Sequence, residues 1–257
     1  MLMKHYFLPF LMGLMTFSCA SKAFEIDTPV SLSNPQLKAP AQSALASKAR
    51  LTVDEATQYA RELSAAWKEA VKEQSQQQFT DKVLHIGKDT MRIWWKTYGD
   101  CPADGHSLYI SLHGGGGAPA ALNDSQWDNQ KRLYTPAEGV YLAPRAITYT
   151  WGLHFVPGAD DFYEAIIRYA VANLDVNPNK VYITGYSAGG DGVWRLGPRM
   201  ADHWAAASMM AGHPGDVRLE SLRNTPFAIW CGGEDGGCRH GGARLNRLRI
   251  QYRSGSG

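Results

Sequence analysis

The sequence predicts an α/β chain organised on a mostly parallel sheet with a short antiparallel start. Three observations carry this expectation. Apolar runs of strand length alternate with stretches of helical apolar periodicity through the middle of the chain. The run Leu108-Tyr109-Ile110 leads directly into Ser111-Leu112-His113-Gly114-Gly115-Gly116-Gly117. The run Val181-Tyr182-Ile183-Thr184 leads into Gly185-Tyr186-Ser187-Ala188-Gly189, a Gly-x-Ser-x-Gly motif.

The elements follow in order. Thr52-Val53-Asp54-Glu55 reads as a capping box, in which threonine and glutamate each satisfy an orphan backbone N–H. Ala56, Tyr59, Ala60, Leu63, Ala66, Trp67, Ala70 and Val71 then recur at helical spacing, predicting a packing helix to residue 78. Residues 82–86 and 91–98 flank Gly87-Lys88-Asp89 as an antiparallel hairpin. The third strand is placed at 108–112, a helix at 126–133 and the fourth strand at 140–143, closed by Pro144. A helix over 161–174 precedes the fifth strand at 181–184. The helix after Ser187 ends near Gly197-Pro198, and the sixth and seventh strands fall at 204–210 and 227–231.

The serine motif has a steric logic. Glycines on either side of the serine let strand and helix pack closely around a strained residue whose hydroxyl stays exposed. The two motifs, about 70 residues apart and each at a strand end, reinforce one another. On these residues the chain resembles the α/β-hydrolases, and most closely their secreted esterase and polyhydroxybutyrate-depolymerase-like branch, over residues 83–235. The resemblance implies a nucleophilic Ser187, whose weakly nucleophilic hydroxyl needs a base within hydrogen-bond reach. It implies an oxyanion hole from the N–H of Ala188 and one from the glycine loop, at Gly115 or Gly116, with His113 orienting the loop. It places the acid after the seventh strand, at Asp235, with Glu234 second.

After the acid the chain departs from the family pattern, which calls for an eighth strand and a histidine loop. Only 22 residues follow Asp235 (257 minus 235), with five arginines, no lysine and little apolar periodicity. The expectation is therefore an α/β-hydrolase fold with the eighth strand missing, and a tail that resembles a chain cut short or read out of frame after Gly236. His240 is the sole histidine after the acid and the candidate base. His154 and His213 fall on loops at the same sheet edge and read as substrate-loop or structural residues. Tyr149, Trp151, His154 and Phe155 are candidates to wall an acyl or aromatic pocket, or to pack a lid.

Length and composition bound the rest. The 257 residues suffice for one sizeable core, and a net charge of +2 argues against a nucleic-acid partner. Lys4 and His5, an apolar run over 6–17 and small residues to Ala23 read as a secretory signal, with acylation at Cys19 as an alternative. The expected organisation is a signal at 1–23, a tether and helix at 24–80, the hydrolase domain at 81–236 and an irregular tail at 237–257. Without the signal three cysteines remain, Cys101, Cys231 and Cys238. The last two could bridge, or all could stay reduced. No metal-ligand spacing occurs, so no cofactor is expected. The expected partner is a small or polymeric ester. The rival readings are a serine peptidase of prolyl-oligopeptidase type and a binding protein that keeps the pocket without the base.

Overall fold

The structure, a computed structural model, describes residues 52–235 and 252–255. The secretory segment, Cys19, Cys238 and His240 lie outside the described residues. The chain divides into two compact units, residues 1–75 and 76–257. In the first, helix α1 (Val53–Asp81) begins at the expected capping box. The Thr52 N–H donates to Glu55 Oε2 (2.9 Å), and the Glu55 N–H donates to Thr52 Oγ1 (3.2 Å). Among the described residues no helix is long and apolar enough to cross a membrane.

The second unit is an eight-stranded sheet with helices. Its elements are β1 (Val83–Ile86), β2 (Asp89–Tyr98), β3 (His106–Leu112), α2 (Ala120–Gln130), β4 (Gly139–Pro144) and α3 (Ala159–Asn173). They are followed by β5 (Val176–Tyr186), α4 (Ala188–Arg199), β6 (Ala206–Met210), a 3-10 turn (Glu220–Asn224), β7 (Phe227–Trp230) and β8 (Tyr252–Gly255). The strand order is β1-β2-β4-β3-β5-β6-β7-β8. β1 and β2 form the expected hairpin, β2 joins β4 antiparallel, and every later pairing is parallel.

Alternation along the strands decides what is buried. Leu108, Ile110 and Leu112 of β3, Val181 and Ile183 of β5, Ala207 and Met209 of β6, and Phe227 and Ile229 of β7 are all buried. The intervening Tyr109, Tyr182, Thr184, Ser208 and Ala228 are half-buried. Each large apolar side chain removed from water contributes about 1.5–3 kcal/mol. Trp194 of α4 stacks on Phe227 with ring centres 4.8 Å apart and donates its indole N–H to Gly212 O (3.3 Å). Helix α4 is thereby fixed to β6 and β7, and with it the residue that precedes α4.

Two expectations are corrected. Helix α2 starts at Ala120 and ends at Gln130, not over 126–133, because Pro119 occupies its N-cap and its buried side chains are Asn123, Trp127 and Gln130. Two of those three are polar, so apolar periodicity marks the helix poorly. The eighth strand, expected to be missing, is present: the tail contributes Tyr252–Gly255, parallel to β7, with Phe227 opposite Tyr252 and Trp230 opposite Gly255. Four residues reading Tyr-Arg-Ser-Gly carry no apolar alternation. Their strand is defined by main-chain pairing along β7, which a side-chain pattern does not report.

Candidate active site

β5 delivers the chain to Ser187, which caps α4 with φ 56° and ψ −124°. A non-glycine residue at such a φ costs about 1–3 kcal/mol, and the surroundings hold it there. The Ser187 N–H donates to Met210 O at the end of β6 (3.0 Å), and Ser187 O accepts from the Asp191 N–H (3.0 Å). A Cβ on Gly185 would overlap the carbonyl of Gly189, and one on Gly189 would overlap the carbonyl of Leu112. Only glycine therefore allows strand, turn and helix to approach this closely, and the Ser187 side chain is left exposed. Among the described residues no group hydrogen-bonds its hydroxyl.

The glycine loop arrives beside it. A Cβ on Gly114 would stand 3.5 Å from Ser187 Cβ, and one on Gly116 would stand 3.3 Å from Ala188 Cβ. Gly115, Gly116 and Gly117 all have positive φ, at 114°, 75° and 57°. The reason for the meeting is topological. β3 and β5 are neighbours, but β4 lies beyond β3 and β6 beyond β5. Connections leaving the two strands run to opposite sides, opening a crevice at their carboxyl ends.

Backbone donors in this crevice differ in availability. Ala188 is the first residue of α4, where the helix supplies no partner for an N–H. The Gly116 N–H donates to Asn123 Oδ1 (3.0 Å). The Gly115 N–H makes no hydrogen bond to another described residue.

The histidines near the sheet edge are occupied. His113 Nδ1–H donates to Gly114 O (2.6 Å), and Nε2 accepts from the Ala146 N–H (3.1 Å). A carbonyl can only accept and an amide can only donate, so the tautomer is fixed and the ring neutral. Burial pushes the His113 pKa down to about 4. His154 donates through Nε2 to His113 O (2.9 Å), so Nδ1 accepts from the Tyr163 hydroxyl (2.8 Å). Burial holds its pKa well below the ordinary histidine range, with the neighbouring His113 adding to the effect. His154 is fully buried, so it is not a pocket wall; it braces the segment after β4 against the glycine loop. His213 follows β6 and is exposed; its Nδ1 accepts from the Gly215 N–H (3.0 Å) and its own N–H donates to Asp191 Oδ1 (2.6 Å).

Asp235 sits half-buried on the loop after β7, its N–H donating to Gly232 O (3.1 Å), while Glu234 is exposed. Cys231, at the root of that loop, is disulfide-bonded, and Cys101 is free and exposed. The expected partner Cys238 falls outside the described residues. Trp151 and Tyr149 are 71% and 57% exposed, and the Trp151 indole nitrogen lies 2.6 Å from where a Gly117 Cβ would stand. Phe155 instead carries the Arg195 guanidinium over its ring at 5.6 Å. Tyr186, beside the serine, is 53% exposed. Asn123, Asp191 and Met210 are contributors to this region that motif reading missed.

No protein-family model matches the chain, and no curated protein matches it. Solved structures do. A thermostable esterase is 20% identical at a TM-score of 0.50, with 69% of this chain and 55% of that one covered. FphF, a fluorophosphonate-binding serine hydrolase of Staphylococcus aureus, is 12% identical at a TM-score of 0.49, covering 68% and 88%. The enterobactin esterase of Shigella flexneri is 17% identical at 0.46, covering 66% and 51%. The chain spans about half the length of the thermostable esterase it matches. Strand order and that likeness together give the α/β-hydrolase fold. The solved neighbours are esterases and serine hydrolases.

Proposed function

We propose that the chain is a serine hydrolase of carboxylic esters, small or polymeric, working through an acyl-enzyme on Ser187. The observation that carries the reading is the strained, exposed Ser187 with Gly114 packed against its Cβ position. Ser187 Oγ attacks the ester carbonyl carbon while its proton passes to a base, and the carbonyl oxygen becomes an oxyanion. The N–H groups of Ala188 and Gly115 receive that charge. Gly116, whose N–H is held by Asn123, shapes the loop. Asp235 orients the base, and His240 is the candidate for it. The tetrahedral intermediate collapses, its ester C–O bond breaks and the alcohol leaves with the proton from the base. Water, giving a proton to the base, then attacks the acyl-enzyme, and the acid departs as Ser187 Oγ takes that proton back.

Cys231 in disulfide form supports an oxidising compartment, and with it the secreted or periplasmic location. The hydrolase domain over 81–236, preceded by a tether and helix, is the organisation this reading uses. Esters with an aromatic part suit the exposed rings of Trp151, Tyr149 and Tyr186.

A second reading, a pocket that binds without turning over, is favoured by one observation. His113 and His154 have both ring nitrogens engaged, so neither is free to take the serine proton. Turnover of p-nitrophenyl acetate by wild type, compared with Ser187→Ala, separates the two. Turnover abolished by the substitution supports the enzyme. No turnover in either form supports the binding protein.

A further inference from the structure

We propose that Asn123 is a positioning residue for the oxyanion loop, an inference that rests on the serine-hydrolase reading. Three successive glycines at positive φ have no side chains to hold them, and glycine loses more freedom on ordering than any other residue. A loop of that kind presents a donor at a fixed place only if something outside it fixes the peptide planes.

Asn123, fully buried on the first turn of α2, meets that need. Its Oδ1 accepts from the Gly116 N–H (3.0 Å), and its Nδ2 donates to Ala118 O (2.9 Å) and Pro119 O (3.3 Å). One carboxamide thus grips both ends of the turn, and the donor on one side and acceptors on the other fix which way it points. Its oxygen also fills the space a Cβ on Gly115 would need, so the glycine and the asparagine are sterically matched. With the Gly116 N–H held by Asn123, the Gly115 N–H is a loop donor left without a partner among the described residues.

The brace is itself anchored. The adjacent Asp124 accepts from Arg145 Nε (2.9 Å) after β4 and from Arg92 Nη2 (2.5 Å) on β2. Helix α2 is thereby tied to two strands, and Asn123 moves only if they do. Leucine at this place would lack the acceptor, and a charged aspartate would face two carbonyls without a proton to give.

The test compares wild type with Asn123→Ala, Asn123→Asp and Ser187→Ala. It reads the amide exchange of Gly116 by NMR, phenylboronic acid affinity, and kcat and KM on p-nitrophenyl acetate. Asn123→Ala is expected to accelerate Gly116 exchange about tenfold or more in a folded protein. It lowers kcat and boronate affinity on the order of 100-fold and leaves KM within about threefold, as loss of an oxyanion donor does. Asn123→Asp recovers toward wild type as pH falls, because a protonated carboxyl both donates and accepts. A merely structural asparagine does not separate kcat and boronate affinity from KM in the way expected of Asn123→Ala.

Asn123→Ala with kcat and boronate affinity within about threefold of wild type overturns the proposal. So does their loss with Gly116 exchange unchanged. Turnover surviving in Ser187→Ala counts against the hydrolase reading instead, and Gly116 exchange still decides whether the brace exists.

Discussion

His154 donates from Nε2 to the main-chain carbonyl of His113 across 2.9 Å, joining the segment after β4 to the root of the glycine loop. The bond sits inside a chain that starts at the Tyr163 hydroxyl and ends at Gly114 O, with both imidazoles neutral and buried. A network of this kind holds a loop in place and also makes the fold sensitive to acid.

The sign of that sensitivity follows from the His113 pKa of about 4, below the ordinary value near 6.5. Between those values the unfolded chain binds a proton that the native state refuses. Stability therefore falls as pH drops from about 6.5 to about 4, and His113 alone accounts for roughly 3 kcal/mol of the fall. His154 acts in the same direction. Urea unfolding at pH 7 and pH 4.5 should show the loss, and His113→Gln should shrink it. An equal pH slope in the variant contradicts the assignment.

The elbow separates steric from conformational demands on glycine. Gly189→Ala drives a methyl into the carbonyl of Leu112 and is expected to lower stability by about 3 kcal/mol or more. Gly87 in the β1–β2 turn has φ 56° but nothing within 4 Å of the added methyl. Gly87→Ala should cost only about 1 kcal/mol. Thermal midpoints of the two variants measure the contrast, and equal losses would remove the argument for close packing at the elbow.

Ser187 at φ 56° stores strain that glycine at the same place would not. Ser187→Gly should therefore stabilise the fold by roughly 1 kcal/mol while removing turnover, the trade expected of a residue held for chemistry. A destabilised variant in urea titration would mean the hydroxyl serves the fold.

These two glycine-flanked turns were legible in the sequence because their demands are local. Gly185 and Gly189 are required by atoms a few residues away or on the adjacent strand, and the apolar runs of β3 and β5 announce where the turns fall. Asn123 was not legible, since a buried asparagine on a helix looks like any surface polar residue until its partners are known. The same holds for His154, which sequence position places among the aromatic wall residues and burial places behind it. β5 is longer than its apolar core. It begins at Val176 and shifts register between the His106 and Leu108 pairings, so its first half is set by the neighbouring strand.

Trp151 gives a substrate-side prediction. With 71% of its surface exposed, Trp151→Ala should change the thermal midpoint little. If the ring contacts the ester, KM for p-nitrophenyl esters should rise several-fold with kcat nearly unchanged. A fall in kcat at constant KM would move Trp151 from binding to the geometry of the loop beneath it.

The proposed hydrolysis depends on the reactivity of one hydroxyl, and intact-protein mass spectrometry after treatment with a fluorophosphonate measures it most directly. A single adduct that maps to Ser187 and disappears in Ser187→Ala is the expected result. A wild-type protein that takes up no reagent, or takes it up at another residue, contradicts it.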